Sequence, residues 1–373
     1  MQHLDQVSAY RLRVPLLRPY RLAFGAVEHY DTIVVETVDR DGHRGFGEAT
    51  VLTGYTDETI EDSWRVACQF AAELAGIGCD SAASRVAQLG LKFPFTATAF
   101  GTALEMLAGS ETLKVGAGTR VPLVGLLHAE DEGAMAAEFE RLLSEGYRTI
   151  KVKVGFDAGA DLRRVQRVQR VAAGRARIRL DANQGYTADE GSAFARALDP
   201  AGIELFEQPC AAGDWDAHLA VARASPVPMM LDESIYGLAD IEKAAALRAA
   251  SYIKVKLMKL VTLECLTRAL ERIASLGMRA VLGNGVACDL GCWMEACVAA
   301  RHIDNAGEMN GFLKARSGLL TEKLAVAAGA IALASDFSPQ LDPQALERYR
   351  VDSVVCVPRP ARGAAASTGT ASE

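Results

Sequence analysis

TIKVKVG at residues 149–155 is the first of five short apolar runs that each stop on a charge. It is followed by IRLDANQ (178–184), IELFEQP (203–209), MMLDES (229–234) and YIKVKL (252–257). The charged ends are Lys153, Asp181, Glu207, Asp232 and Lys256. Buried strands favour apolar residues, and a charge placed there needs a partner. Five successive strand ends that all bear charge are explained if they point into one shared site.

Working outward, strand and helix alternate from Val121 onward. VPLVGLL (121–127) precedes the five runs, MRAVLG (278–283) follows them, and AGEM (306–309) reads as a weaker eighth strand. Amphipathic stretches separate them, among them 133–145, 160–173 and 262–276. Repeated βα units imply parallel strands with right-handed crossovers. Eight of them in ~200 residues give an α/β fold, a modified (β/α)8 TIM-type barrel, whose active site lies at the C-terminal strand ends.

Residues 1–118 differ: alternating and β-branched strands with an Asp41-Gly42 turn come first, and helical periodicity follows. That order predicts an α+β capping domain, with the barrel over 119–325. The segment 326–357 is expected to pack back on the cap, and the tail 358–373 to be poorly ordered.

Half of the 373 residues are hydrophobic, 23% are charged, and the net charge is −7. This balance argues against a nucleic-acid or anionic-membrane partner. No apolar run approaches the ~20 residues of a membrane span, and the N-terminus lacks a signal-peptide pattern. A cytoplasmic homo-oligomer acting on a small carboxylate substrate is expected. The eight cysteines form no C-x-x-C pair and read as reduced core residues, with Cys210 and Cys288 flanking proposed strand ends.

Asp181, Glu207 and Asp232 are spaced 26 and 25 residues apart, one βα unit each, so they should stand on adjacent strands. Three hard oxygen ligands suit one Mg2+ ion, with Mn2+ as a substitute. The competing reading is three helix N-caps, but the E-Q-P and D-E-S contexts weigh towards metal. Lys151 and Lys153 alternate on one strand and must share a face, as do Lys254 and Lys256. Lys153 and Lys256, nearest the strand ends, are the reactive pair expected to approach the metal from opposite sides. The combination suits abstraction of a proton next to a carboxylate.

These runs closely resemble the enolase superfamily, within it the muconate lactonizing enzyme subgroup. RGFGEA (44–49) and TGYTDET (53–59) extend the likeness into the N-terminal part. The resemblance implies Asp181, Glu207 and Asp232 as metal ligands and Lys153 and Lys256 as the acid/base pair. It also implies Lys151 beside the substrate carboxylate and Asn183 in support. Glu308 stands where muconate cycloisomerases have a Glu, and the Asp-x-Asp element of dipeptide epimerases is absent there. Val261-Thr262 replaces a common Gly-Gly, and GNGVACD (283–289) departs from the usual seventh-strand end.

A mandelate-racemase dyad is disfavoured, because the late His302 falls on a helix. Substrate contacts are expected from loops 18–29 and 51–56, through His29 and Tyr55. Racemisation or epimerisation of a proline-type or N-acylated amino-acid derivative leads. Dehydration of a hydroxy amino acid, muconate-type cycloisomerisation, or an idle barrel used for binding remain as alternatives.

Overall fold

Two apolar faces on the same N-terminal strands decide how the molecule is layered. The strands are β1 (Leu4–Leu22), β2 (Gly25–Asp39) and β3 (Arg44–Thr50). Val7, Ala9, Ile33 and Val35 bury one face against the helices Ile60–Leu74, Cys79–Gly90 and Pro94–Leu107. Leu12, Val14, Tyr30 and Val34 bury the opposite face beside Val286, Cys288 and Leu319 of the barrel. Because strand side chains alternate, odd positions here face the helices and even positions face the barrel. Gly45 and Gly47 let β3 lie backbone to backbone on the helix Pro94–Leu107. A Cβ at either would sit 2.0 Å from Ala103 O or 1.9 Å from Ala99 O.

The structure is a computed structural model that describes residues 3–22, 25–52 and 56–358. In it β4 (Thr119–Pro122) precedes seven parallel strands. These are β5 (Gly125–Leu127), β6 (Thr149–Lys153), β7 (Arg177–Asp181), β8 (Ile203–Glu207), β9 (Met229–Leu231), β10 (Tyr252–Val255) and β11 (Arg279–Leu282). They lie in the sheet in sequence order. The five runs that end on charge are therefore β6 to β10, and their ends share one rim.

Two expectations need correction. The run 121–127 is not one strand: it breaks at Leu123, with β4 leaving to pair with β13 (Ala330–Leu333), which also pairs with β12 (Ala325–Ala327). The eighth barrel strand is also absent as a strand. Residues 307–308 instead close the gap between edges with three backbone hydrogen bonds. Gly307 N donates to Pro122 O (2.8 Å), Val124 N to Gly307 O (3.0 Å), and Glu308 N to Leu282 O (2.9 Å). A bridge this short satisfies both sheet edges but leaves the segment free to turn away at Asn310. Finally, β14 (Arg350–Cys356) pairs antiparallel with β1, completing the order β14-β1-β2-β3.

All eight cysteines are free, and Cys210, Cys288, Cys292 and Cys297 are buried. No helix among the described residues is long and apolar enough to cross a membrane. The tail from residue 359 lies outside the described residues.

Candidate active site

The order of strands in the sheet turns the sequence pattern into geometry. Asp181 and Glu207 end β7 and β8, Asp232 follows β9, and on either side Lys153 ends β6 and Lys256 follows β10. Register pairs Lys153 with Asp181 and Asp181 with Glu207. All three carboxylates are almost wholly buried. They cap no helix: the helices that follow start at Thr187, Asp214 and Gly237. The N-cap alternative is therefore excluded by position.

A lysine layer lies among the acids. Lys151 Nζ is 2.7 Å from both Asp181 Oδ2 and Glu207 Oε2, and 2.9 Å from Glu308 Oε2. Lys254 Nζ is 2.6 Å from Glu308, 3.1 Å from Glu207 and 3.4 Å from Asp232. Lys153 reaches Asp181 (2.6 Å) and Asn183, while Lys256 reaches Asp232 (2.8 Å). Burial alone would push the Asp181 carboxyl up, but Lys151, Lys153 and Lys254 outweigh it and hold it down at about 2. Asp232 is likewise held well below the usual range, where Lys256, Lys254 and Lys259 outweigh burial. Glu207, deepest and beside Asp181, is instead raised to about 7 by burial first and that neighbouring charge second. Burial lowers Lys153, yet Asp181 prevails and its net shift is upward.

The donor set fits a hard divalent cation. Three carboxylates stand at adjacent strand ends with Lys151 and Lys254 between them, no imidazole or thiolate among the described residues stands with them, and buried Glu207 Oε2 accepts no hydrogen bond even with Lys151 beside it. A buried acceptor left without a donor is costly.

Local backbone fixes these groups. Asn183, Gln184 and Gln208 adopt left-handed φ of 42°, 69° and 38° just past the strand ends. Gln208 Oε1 accepts from Asp232 N (2.9 Å), so the E-Q-P run positions the next ligand as well as supplying its own. Asn183 donates to Glu233 Oε1 (2.9 Å) and accepts from Lys153. Val261 stands at φ 72°, the conformation that the expected glycine would adopt without strain. Its side chain and carbonyl press on Gly90 and Gly101 of the capping helices, which have no Cβ to obstruct them.

Not every expected substrate contact is brought in. His29 lies on the helix-facing side of β2 and pairs with Asp31 (3.3 Å), because alternation points it opposite to Tyr30. The span 18–29 is also a strand hairpin over much of its length rather than a loop. Tyr55 lies outside the described residues. Glu308 is in the site, but Lys151 and Lys254 occupy both of its carboxylate oxygens. It is a counter-ion to the lysine layer, held far below the usual carboxylate range by Lys151 and Lys254 against its burial.

Sequence reasoning missed several participants. Lys259 donates to Asp232 O (2.9 Å) and Ile235 O (2.8 Å) and sits 4.3 Å from the Tyr236 ring centroid, clamping the loop after β9. Glu295 accepts from Leu257 N and Asn284 N, both 2.9 Å, and so fixes the peptide next to Lys256. Lys314 and Tyr20 meet at the mouth, with the ammonium 4.7 Å from the ring centroid. The visible signal for Lys259 was its place in IKVKLMK; a lone Glu in a helix and a lysine in a 3-10 turn gave none.

A sequence profile described as enolase C-terminal domain-like matches residues 134–339. A hydrophobic dipeptide epimerase of Citrifermentans bemidjiense is 32% identical over 304 residues, 75% of this chain and 81% of that protein. Two crystal structures share the fold. The N-succinyl Arg/Lys racemase of Bacillus cereus has a TM-score of 0.86 at 21% identity, covering 95% of this chain and 99% of that one. A dipeptide epimerase from Cytophaga hutchinsonii, complexed with Mg and D-Ala-L-Val, has a TM-score of 0.84 at 20% identity, covering 95% and 99%.

Proposed function

The chain belongs to the enolase C-terminal domain-like family, and from that premise we propose that it removes the proton α to a substrate carboxylate. The reaction is racemisation or epimerisation of an amino-acid derivative, N-acylated or proline-type. The observation that carries this reading is the spatial bracket: Lys153 and Lys256 at the ends of the outer two of five adjacent strands, with carboxylates at the ends of the inner three.

Asp181, Glu207 and Asp232 would hold Mg2+, the ion that accompanies the C. hutchinsonii relative. When bound, it supplies positive charge beside the substrate carboxylate as that group takes on enediolate character. Lys151, charged between Asp181, Glu207 and Glu308, meets the same carboxylate from β6. Lys153 takes the α-proton from one face and Lys256 returns one to the other, or the reverse for the opposite enantiomer. Asn183 keeps Lys153 aimed by accepting from its ammonium, and Glu295 keeps Lys256 aimed through the peptide N–H of Leu257.

The test is α-proton exchange in deuterated solvent, followed by NMR on both enantiomers of a panel of N-acyl amino acids and dipeptides with Mg2+. Exchange of both enantiomers by the wild type is expected. Lys153→Ala and Lys256→Ala should each abolish exchange of one enantiomer. If neither substitution alters exchange, or if no substrate exchanges, the reading fails. Loss of water from a hydroxylated substrate would instead assign a dehydratase.

A further inference from the structure

The turns that follow the two lysines of the bracket are pinned from different places. After β6, the peptide N–H groups of Gly155, Phe156 and Asp157 all donate to Asp161 Oδ2, at 3.0, 2.9 and 3.1 Å. Asp161 belongs to the next barrel helix, Ala158–Ala172, so the Lys153 end is held by its own βα unit. After β10 the arrangement differs. Lys256 leads into a single helical turn, Leu257–Leu260, then Val261 and the helix Leu263–Ser275. The peptide N–H groups of Leu263 and Glu264 donate to Glu105, to Oε2 at 2.6 Å and Oε1 at 2.9 Å. Glu105 lies in the helix Pro94–Leu107, which packs on the N-terminal sheet.

A helix start leaves its first peptide donors without intrahelical acceptors. The side chain of Thr262, the N-cap residue, accepts from Cys265 N (3.1 Å), and Glu105 takes the two donors before it. The helix Pro94–Leu107 meets the connection at a second point. A Cβ on its Gly101 would lie 2.8 Å from Val261 O and 3.0 Å from Thr262 Cγ2. Val261 stands between these contacts at φ 72°, a conformation that a β-branched residue keeps only where its surroundings impose it. Its N–H donates back to Leu257 O (3.0 Å), so relaxation of Val261 is passed to the turn that follows Lys256. Glu295 fixes the near end of that turn at Leu257 N. The far end is fixed from outside the barrel.

We propose that Glu105 is a positioning residue for Lys256, holding the Val261 turn so that this lysine, unlike Lys153, depends on the N-terminal helices for its aim. The inference rests on the proton-abstraction reading above, which makes the two lysines bases on opposite faces. Its consequence is directional. Loss of Glu105 leaves Leu263 N and Glu264 N without their acceptor and lets Val261 leave its left-handed conformation. Lys256 is then displaced, while the Asp161 clamp keeps Lys153 in place. The protein goes on exchanging the enantiomer that Lys153 deprotonates but inverts it slowly.

The test is Glu105→Ala, assayed for α-proton exchange on each enantiomer of the same N-acyl amino acids and dipeptides with Mg2+. Lys256→Ala identifies the enantiomer that Lys256 deprotonates. In Glu105→Ala, kcat for that enantiomer should fall by about tenfold to a hundredfold, while the other stays within about twofold. Glu105→Gln, which keeps one acceptor oxygen, should show the same asymmetry at smaller amplitude. Because the ratio is taken within one preparation, partial misfolding does not alter it, and equal losses for both enantiomers overturn the proposal. Amide hydrogen exchange reads the same coupling without substrate. In Glu105→Ala the amides of 257–260 should exchange faster and those of 154–157 at the wild-type rate. Faster exchange confined to 263–264, or shared equally by both turns, overturns the coupling. If no substrate exchanges its α-proton, the proton-abstraction reading fails, and the amide measurement decides the coupling by itself.

Discussion

Glu48→Met tests how the capping sheet is fastened to the barrel. Glu48 on β3 is 3% exposed, with Oε1 accepting from Cys288 N at 2.6 Å and Oε2 from Gly291 N at 2.8 Å. These are orphan donors at the start of the helix Asp289–His302, whose own N-cap residue, Cys288, makes no side-chain cap. The cap is thus delivered from another domain. Methionine fills similar volume but leaves two buried N–H groups unpaired, at about 1–3 kcal/mol each, so the loss should be about 2–6 kcal/mol. The carboxylate carries its own cost. Burial raises it from 4.5 to about 7, against the opposing pull of the Gly291 and Cys288 amides.

A carboxyl held above its unfolded value binds its proton more tightly when folded. The wild type therefore loses stability as pH rises through the window between 4.5 and about 7. At 1.36 kcal/mol per pK unit this is roughly 3 kcal/mol, an order-of-magnitude figure. The variant lacks that loss, so its penalty should be largest near about pH 5 and shrink by about pH 8. Urea unfolding of both proteins at the two pH values measures this directly. A penalty below about 1 kcal/mol at the lower pH refutes the cap, and one that grows with pH refutes the burial argument.

Other outcomes follow from the same geometry. Mg2+ at about 100 times its Kd should stabilise the wild type by about 2.7 kcal/mol. Asp232→Asn should abolish that gain, read as the Tm difference with and without chelator. Glu308→Gln removes the shared counter-ion of Lys151 and Lys254 and should destabilise the fold by about 3–5 kcal/mol. A loss under about 1 kcal/mol would mean that the other acids suffice. Gly47→Ala, with its Cβ 1.9 Å from Ala99 O, should lower stability by about 3 kcal/mol or more in urea melts.

The charged rim was legible because two strong constraints coincide there. Period-2 alternation forces Lys151 and Lys153 onto one face, and buried charge demands partners, so strands ending in charge had to share a rim. The placement of Asp181, Glu207 and Asp232 at adjacent strand ends then followed from their regular spacing. The surroundings of the rim were not legible, for equally physical reasons. Lys314 sits in a 3-10 turn with no periodicity, and its partner Tyr20 arrives from nearly 300 residues away in sequence. His29 looked available because polar loop residues often contact ligands, yet strand parity turns it to the helix-facing side, away from the barrel. The weak eighth strand misled differently: AGEM supplies closure through only three backbone bonds, too few to impose a strand. Val261 shows that a familiar conformation can persist after its glycine is gone, held by contacts to Gly90 and Gly101.

The pairing of β14 with β1 also bears on how the molecule is born. Val7 stands opposite Cys356 in the register, so one edge of β1 waits for β14, which follows every strand of the barrel along the chain. Until then the ribosome-bound chain exposes a bare strand edge from Val7 to Leu12, a template for pairing with a neighbouring nascent chain. The capping sheet, which lies on the barrel through Val286 and Cys288, is consequently completed only after the strands beneath it have been made.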